Sequence, residues 1–171
     1  IPNSVTSIDD LDFFFCAELV SITIPQSVVT IGVNPFGGCT KLLSIQVVDE
    51  NEHFVSVDGV LFSKDMTILI SFPVGKSGEY KIPSSVVTIS DLAFAHAYNL
   101  KSVTIPDGVV SINERAFLRC SDLESLDLPM SVRKIGEFVF AFCDHLKKIL
   151  VPTALEYSQG TFPQNTWVQT K

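Results

Sequence analysis

The sequence predicts a solenoid, an elongated array of similar coils with parallel strands along one face, and two observations support this fold class. The motif Ile-Pro-x-Ser-Val-x-x-Ile-x(4)-Phe-x-x-Cys-x-x-Leu-x-x-Ile recurs five times, with a period of 23 residues. Apolar residues occupy the same positions in every unit. One interval, from Ile24 to Ile82, is longer than the period allows. Units that repeat in this way pack mainly on their neighbours, so equivalent side chains form ladders.

The repeats divide the chain into seven segments of a single domain, residues 1–171. Positions within a unit are counted from zero at its first residue. The units are 1–23, 24–46, a long unit 47–81, 82–104, 105–127, 128–150 and a C-terminal cap 151–171.

The motif predicts one short strand in each unit, followed by a corner, a second extended piece and a turn. Val103 and Ile105 alternate with Ser102 and Thr104, so the apolar pair faces the core and the polar pair faces outward. Pro106 lacks an N–H group and ends the strand. Residues 86–89 form the second extended piece, and the three-residue spacing of apolar side chains over 94–100 predicts a helical or 3₁₀ turn. We expect a right-handed, mostly β solenoid.

The long unit predicts a β-hairpin. Two apolar runs, 54–57 and 60–62, flank Asp58-Gly59, a dipeptide that favours the positive φ angles of a tight turn. We expect the tip, Val57, Asp58, Gly59 and Val60, to project from the edge of the solenoid and to be available for binding.

The two ends differ from the other units. Residues 151–171 lose the pattern, as expected of a cap over the last core face. The first unit instead carries three adjacent aromatics, Phe13, Phe14 and Phe15. Either further repeats precede it, or this end packs against something, including a second copy of the chain.

Composition excludes several classes of function. The 46% hydrophobic content indicates a folded chain, and no apolar run is long enough for a membrane helix. Because the net charge is −7 and the basic residues are scattered, the sequence has no basic patch that would bind the phosphate backbone of nucleic acid. No signal peptide is visible, because the repeat begins at Ile1.

No catalytic, metal or cofactor site is predicted. Cys16, Cys39, Cys120 and Cys143 all occupy position 15, where a buried ladder of free thiols is expected. The three histidines share no ligand spacing. Residues 49–53 lack the glycine and terminal glutamate of a calcium loop and are interpreted as a solvated acidic turn. The serines that recur at position 3 suit local main-chain hydrogen bonds rather than nucleophilic catalysis.

The chain resembles the BspA-like leucine-rich repeats of bacterial and protist surface proteins. The resemblance is carried by Ala93-Phe94, by the segments Ala-Phe-Leu-Arg-Cys at 116–120 and Val-Phe-Ala-Phe-Cys at 139–143, and by the long unit at 56–65. It implies a leucine-rich-repeat solenoid that is secreted or attached to a cell surface and binds other proteins or cells. It implies no enzyme activity.

The outward strand positions, 20 and 22, form the predicted binding face. These residues are Ser21, Thr23, Ser44, Gln46, Ser102, Thr104, Ser125, Asp127 and Lys148. We expect a non-enzymatic module whose partner is a host or bacterial surface protein or a glycan. The alternative is a structural spacer without a ligand, in which short hydroxyl side chains merely suit stacked strands.

Overall fold

A computed structural model describes residues 1–171 as a parallel β-solenoid of about seven turns. Its secondary structure consists of strands and turns only. The strands are β1 (Ser7–Ile8), β2 (Ser21–Ile24), β3 (Thr30–Ile31), β4 (Ser44–Val47), β5 (Phe54–Val57), β6 (Val60–Ser63), β7 (Ile68–Ser71), β8 (Gly78–Lys81), β9 (Thr88–Ile89), β10 (Leu100–Thr104), β11 (Ser111–Ile112), β12 (Ser125–Asp127), β13 (Lys134–Ile135), β14 (Lys148–Val151) and β15 (Trp167–Thr170).

The first row of strands forms the face that we call the concave face. It comprises three hydrogen-bonded groups, β2-β4, β8-β10 and β12-β14-β15. The pairing is parallel and keeps the repeat register, so Ser21 lies opposite Ser44 and Ile22 opposite Ile45. Isoleucine side chains point into the core, while the serines face outward, as the alternation of the sequence predicts.

The second row contains the two-residue strands of each unit. Strands β1 and β3 pair alone, whereas β13, β11, β9, β7, β6 and β5 form one six-stranded sheet in that order. Of the predicted extended piece at residues 86–89, the last two residues form β9. Each short strand therefore gains its hydrogen bonds from neighbouring coils, which explains how two residues can hold an extended conformation.

The third side of each coil, which we call the convex side, is not the helical or 3₁₀ segment that the apolar spacing predicted. The N–H of Phe94 donates to the carbonyl of Ala116 in the next coil at 2.8 Å, whereas the N–H of Ala95 donates to Leu92 of its own turn at 3.0 Å. This alternation continues along the turn and recurs in later coils. A helix would bond every N–H within its own segment, so the shared pattern excludes one.

Positive φ angles interrupt this turn at positions 10 and 14 of all five regular units. The residues concerned are Leu11, Phe15, Asn34, Gly38, Leu92, His96, Arg115, Arg119, Phe138 and Phe142. Residues in the left-handed region cannot continue a right-handed helix. Their recurrence makes them part of the coil geometry rather than isolated strain.

The core is a set of ladders divided into two clusters of 29 and 9 buried residues. A column of phenylalanines runs through the larger cluster, with ring centroids 4.7 to 5.7 Å apart. Its members are Phe72, Phe94, Phe117, Phe140 and Phe162. Full burial of a phenylalanine side chain contributes roughly 1.5–3 kcal/mol, and only Phe162, at the C-terminal end of the column, is partly buried.

The predicted hairpin forms, but it does not project from the solenoid. Val60, Leu61 and Phe62 are completely buried. Leu61 belongs to the smaller core cluster, whereas Val60 and Phe62 belong to the larger one. An uninterrupted apolar run has no face suited to water, so β6 lies between the two clusters and contacts both.

Buried polar groups connect successive coils. The thiols of Cys39, Cys120 and Cys143 each donate to the carbonyl of a phenylalanine in an earlier coil, at 3.0 to 3.2 Å. All four cysteines are free, but Cys16 is exposed rather than buried. The position-3 hydroxyl of Ser27 likewise donates to Val5 of the preceding coil. These serines therefore bind the neighbouring coil and not a local main-chain group.

Residues 49–53 are not simply a solvated acidic turn, because Asn51 is completely buried. Its amide donates to the carbonyls of Pro25 and Val28 at 2.9 and 3.0 Å. Its side-chain oxygen accepts from the N–H groups of His53 and Phe54. Asn51 thus fixes the start of the hairpin to the preceding coil.

The three N-terminal aromatics have different environments. Phe13 stacks on Phe36 with centroids 5.6 Å apart and lines an opening of about 590 Å³ at the end of the core. Phe15 instead lies over Gly38, close enough that an added Cβ would come within 2.6 Å of the ring. Phe15 also approaches His96, at 6.5 Å between centroids. Self-association through this end stays a prediction.

Residues 151–171 form one more coil. Strand β15 pairs in parallel with β14, and Phe162 stacks on Phe140. Tyr157 packs edge-on against Phe162. The coil continues both the strand row and the aromatic column, although its sequence departs from the motif.

Candidate functional site

The concave face brings the predicted outward residues into two separate groups. Strands β2 and β4 carry the N-terminal group, in which Ser21 lies opposite Ser44 and Thr23 opposite Gln46. Strands β8 to β15 carry the C-terminal group. The tip of the hairpin separates them, because the N–H of Ile45 donates to the carbonyl of Gly59 at 2.8 Å. The predicted face is therefore not one continuous surface.

The hairpin tip is part of this boundary. Val57 is half-buried and Val60 fully buried, while Asp58 is exposed. The Lys76 ammonium donates to the main-chain carbonyl of Asp58. Burial and the Asp58 carboxylate raise the pKa of Tyr80, which keeps this phenol neutral. Of the four predicted tip residues, Asp58 is the one freely accessible to a partner.

The C-terminal group is larger than the sequence predicts. Glu79 and Lys81 of β8 lie opposite Ser102 and Thr104. Trp167 and Gln169 of β15 lie opposite Lys148 and Leu150 of β14. Glu79 and Lys81 could have been predicted from the sequence as part of this face, because they precede their partners on β10 by one repeat length. The two β15 residues were not, since the last coil is shorter than the period.

Two lysine side chains make contacts at this end of the concave face. The Lys171 ammonium forms an ion pair with the Asp127 carboxylate two coils earlier. The Lys148 ammonium lies over the Trp167 ring, 5.1 Å from its centroid. Trp167 nevertheless remains 64% exposed. An accessible indole beside a lysine offers both an apolar plane and a hydrogen-bond donor.

A crevice runs between β10 and β12. These neighbouring strands belong to different hydrogen-bonded groups, and β10 carries a bulge between Leu100 and Ser102. Such bulges bend a strand and interrupt its pairing. Two shallow depressions of about 320 and 240 Å³ follow the crevice and share Val103 and Asp127 in their lining. A larger opening, of about 590 Å³, is lined by Ser21 and Thr23 at the N-terminal end of the same face.

The hydroxyls that line the crevice are not used by the fold. Ser102, Thr104 and Ser125 make no side-chain hydrogen bond within the chain, in contrast to the position-3 hydroxyls of Ser27 and Ser131. On the rest of the face, Thr23 and Gln46 form one long contact at 3.5 Å. The unused donors and acceptors are available to a ligand.

No group of three or more His, Cys, Asp or Glu side chains is arranged to hold a metal ion. The histidines lie apart, and His96 hydrogen-bonds Tyr98 at 2.6 Å on the convex side. The chain has no helix that is long and apolar enough to cross a bilayer.

Comparison with known families identifies the repeat. A family model described as the BspA type leucine rich repeat region matches residues 1–75 and 70–170, with six copies. Among curated proteins, none matches the chain.

Several solved structures share the fold. A leucine-rich repeat protein from Eubacterium ventriosum is 32% identical with a TM-score of 0.86, covering 98% of this chain and 46% of its own. The pneumococcal vaccine antigen PcpA is 27% identical with a TM-score of 0.70, covering 97% and 54%. A leucine-rich cell surface protein from Faecalibacterium prausnitzii is 26% identical with a TM-score of 0.72, covering 99% and 52%. The chain spans about half the length of each of these proteins.

Proposed function

Because this chain belongs to the family of BspA-type leucine-rich repeat proteins, we propose that it is a non-enzymatic binding module of a secreted or cell-surface protein. Its concave face attaches to a protein or glycan on another surface. Two similar structures support this location, since one is described as a cell surface protein and the other as a vaccine antigen.

The proposal rests on a difference between two sets of polar side chains: one set forms hydrogen bonds within the chain, and the other does not. Hydroxyls and thiols that point into the solenoid bind the preceding coil, as Ser27 and Cys120 do. Hydroxyls on the concave face, such as Ser102 and Ser125, have no partner in the chain. Such unpaired hydroxyls leave donors and acceptors available to a partner along two neighbouring strands.

The test is capture of the protein by immobilised surface proteins and glycans. A variant with Ser102→Ala, Thr104→Ala, Ser125→Ala and Asp127→Asn should lose capture while keeping its unfolding midpoint. The matched control, Thr40→Ala with Ser84→Ala and Asp144→Asn, removes similar exposed groups from other faces and should bind as the wild type does.

Two results would contradict the proposal. If no surface protein or glycan is captured, the chain acts as a spacer. If a partner is captured equally well by the concave-face variant, binding takes place on another face.

A further inference from the structure

We propose that the crevice between β10 and β12, together with Trp167, binds an uncharged oligosaccharide. This inference rests on the proposed binding function and narrows it to one class of ligand. It is carried by the shape of the crevice, the balance of its charges and the position of the single tryptophan.

The shape favours a thin, elongated ligand. The two depressions share Val103 and Asp127 in their lining, and the first of them spans residues of β10, β12 and β14. Val103 and Leu126 form the floor and are only 7% and 5% exposed. A protein partner generally inserts an aromatic or arginine anchor into a pocket, and this floor leaves no depth for one.

The side chains that line the crevice carry equal numbers of positive and negative charges. Asp107 and Asp127 contribute two carboxylates, and Lys148 and Lys171 contribute two ammonium groups to the lining of the two depressions. One pair, Asp127 and Lys171, is already in contact. A polyanionic or strongly charged ligand would gain little net attraction here, whereas a neutral ligand rich in hydroxyl groups can bind each of these side chains.

Trp167 extends the crevice by an apolar plane. Ser125, Lys148 and Trp167 are direct register partners on β12, β14 and β15, and Ser102 occupies the same position on β10. Hydrogen-bonded strands lie about 4.8 Å apart, so the part of this row from Ser125 to Trp167 is about 10 Å long. A sugar ring presents C–H groups on one face and hydroxyls at its rim. Its face can pack on the exposed indole while neighbouring rings reach the hydroxyls and carboxylates of the crevice.

The experiment uses the intrinsic fluorescence of Trp167, because it is the only tryptophan in the chain. The whole chain is titrated with uncharged oligosaccharides: cellotriose, maltotriose, chitotriose and N-acetyllactosamine. At least one should change the emission in a saturable way. The Ser125→Ala/Asp127→Asn variant should raise the Kd of that sugar about tenfold or more, the effect of losing a hydrogen bond to a charged group.

The matched control is Ser21→Ala/Thr23→Ala, which removes hydroxyls from the same repeat positions in the first coil. It should leave the Kd unchanged. Both variants are checked by thermal unfolding, so that a loss of binding is compared between folded proteins.

Each further outcome overturns the inference. If no sugar changes the emission but a protein is captured through the concave face, the proposed function stands and the glycan assignment fails. If sulfated or sialylated sugars bind and uncharged ones do not, the charge argument is wrong. If both variants weaken binding equally, the crevice is not the site. If nothing binds at all, the proposed function fails as well.

Discussion

The thiol of Cys120 donates a hydrogen bond to the main-chain carbonyl of Phe94 at 3.2 Å, which joins position 15 of one coil to position 12 of the preceding coil. The same bond links Cys143 to Phe117 at 3.1 Å. Position 15 is therefore a site of contact between coils as well as a small apolar position. Ala97 can occupy it, but without this bond.

Replacing Cys120 with alanine should lower the free energy of unfolding by about 1 kcal/mol or more, because a buried hydrogen bond and the packing of the sulfur atom are both lost. The matched control is Cys16→Ala, since Cys16 is exposed and makes no such bond. Chemical denaturation of both variants measures the difference. Equal stability of the two would show that the thiol bond contributes nothing.

The thiols should differ in reactivity. Burial raises the pKa of the Cys39 and Cys120 thiols, which lowers the fraction of reactive thiolate. A thiol-specific disulfide reagent should therefore label only the exposed Cys16 in the native protein. After denaturation without reductant it should label all four cysteines. Fewer than four labels in the denatured protein would demonstrate a disulfide.

Gly38→Ala should destabilise the N-terminal coils more than Gly78→Ala does. Both glycines have positive φ angles, 73° and 86°, so both changes carry a conformational cost of about 1–2 kcal/mol. Only at Gly38 does the new Cβ collide with a side chain, that of Phe15. The overlap adds about 1–3 kcal/mol. In the Phe15→Ala background this extra cost should disappear, and its persistence would assign the strain to the main chain.

Asn51→Ala should be among the most damaging single substitutions outside the apolar core. It removes four hydrogen bonds to the main chain, two of them buried and two part-buried, at a cost of about 3 kcal/mol or more. Asn99→Ala, at an exposed turn, is the control and should be nearly neutral. Urea denaturation compares the two, and similar midpoints would contradict the role assigned to Asn51.

Acidification should destabilise the protein through His96. Burial, followed by the charge of Arg119, lowers the pKa of His96 in the folded state. The unfolded chain then binds a proton more readily, so stability falls as the pH drops through about 6.5 and below. The unfolding midpoint between pH 8 and 5 should change less in a His96→Gln variant. The exposed His53→Gln control should keep the pH dependence of the wild type.

The regular coils could be predicted from the sequence because each residue has an equivalent one repeat away. Ile22 opposite Ile45 and the stacked Phe94 and Phe117 follow directly from the period. The turn conformation did not follow, since an apolar spacing of three fits both a helix and the alternating pattern observed. Hydrogen bonds that pass to the next coil leave no signal in the local sequence.

The long unit could be predicted only in part, because it occurs once and has no equivalent to compare with. Its hairpin was visible in the turn residues, but the burial of Leu61 depends on which coil lies on each side. Trp167 was missed for a related reason. Because the last coil is shorter than the 23-residue period, counting by the period does not place Trp167 opposite Lys148, although the two residues are register partners in the structure.

Strand β6 affects how cooperatively the solenoid unfolds. In a linear chain of repeats, cooperativity depends on the interface between each pair of neighbours. At this point Leu61 belongs to one side and Val60 and Phe62 to the other. The packing of β6 on both clusters therefore couples the unfolding of the first two coils to that of the last four.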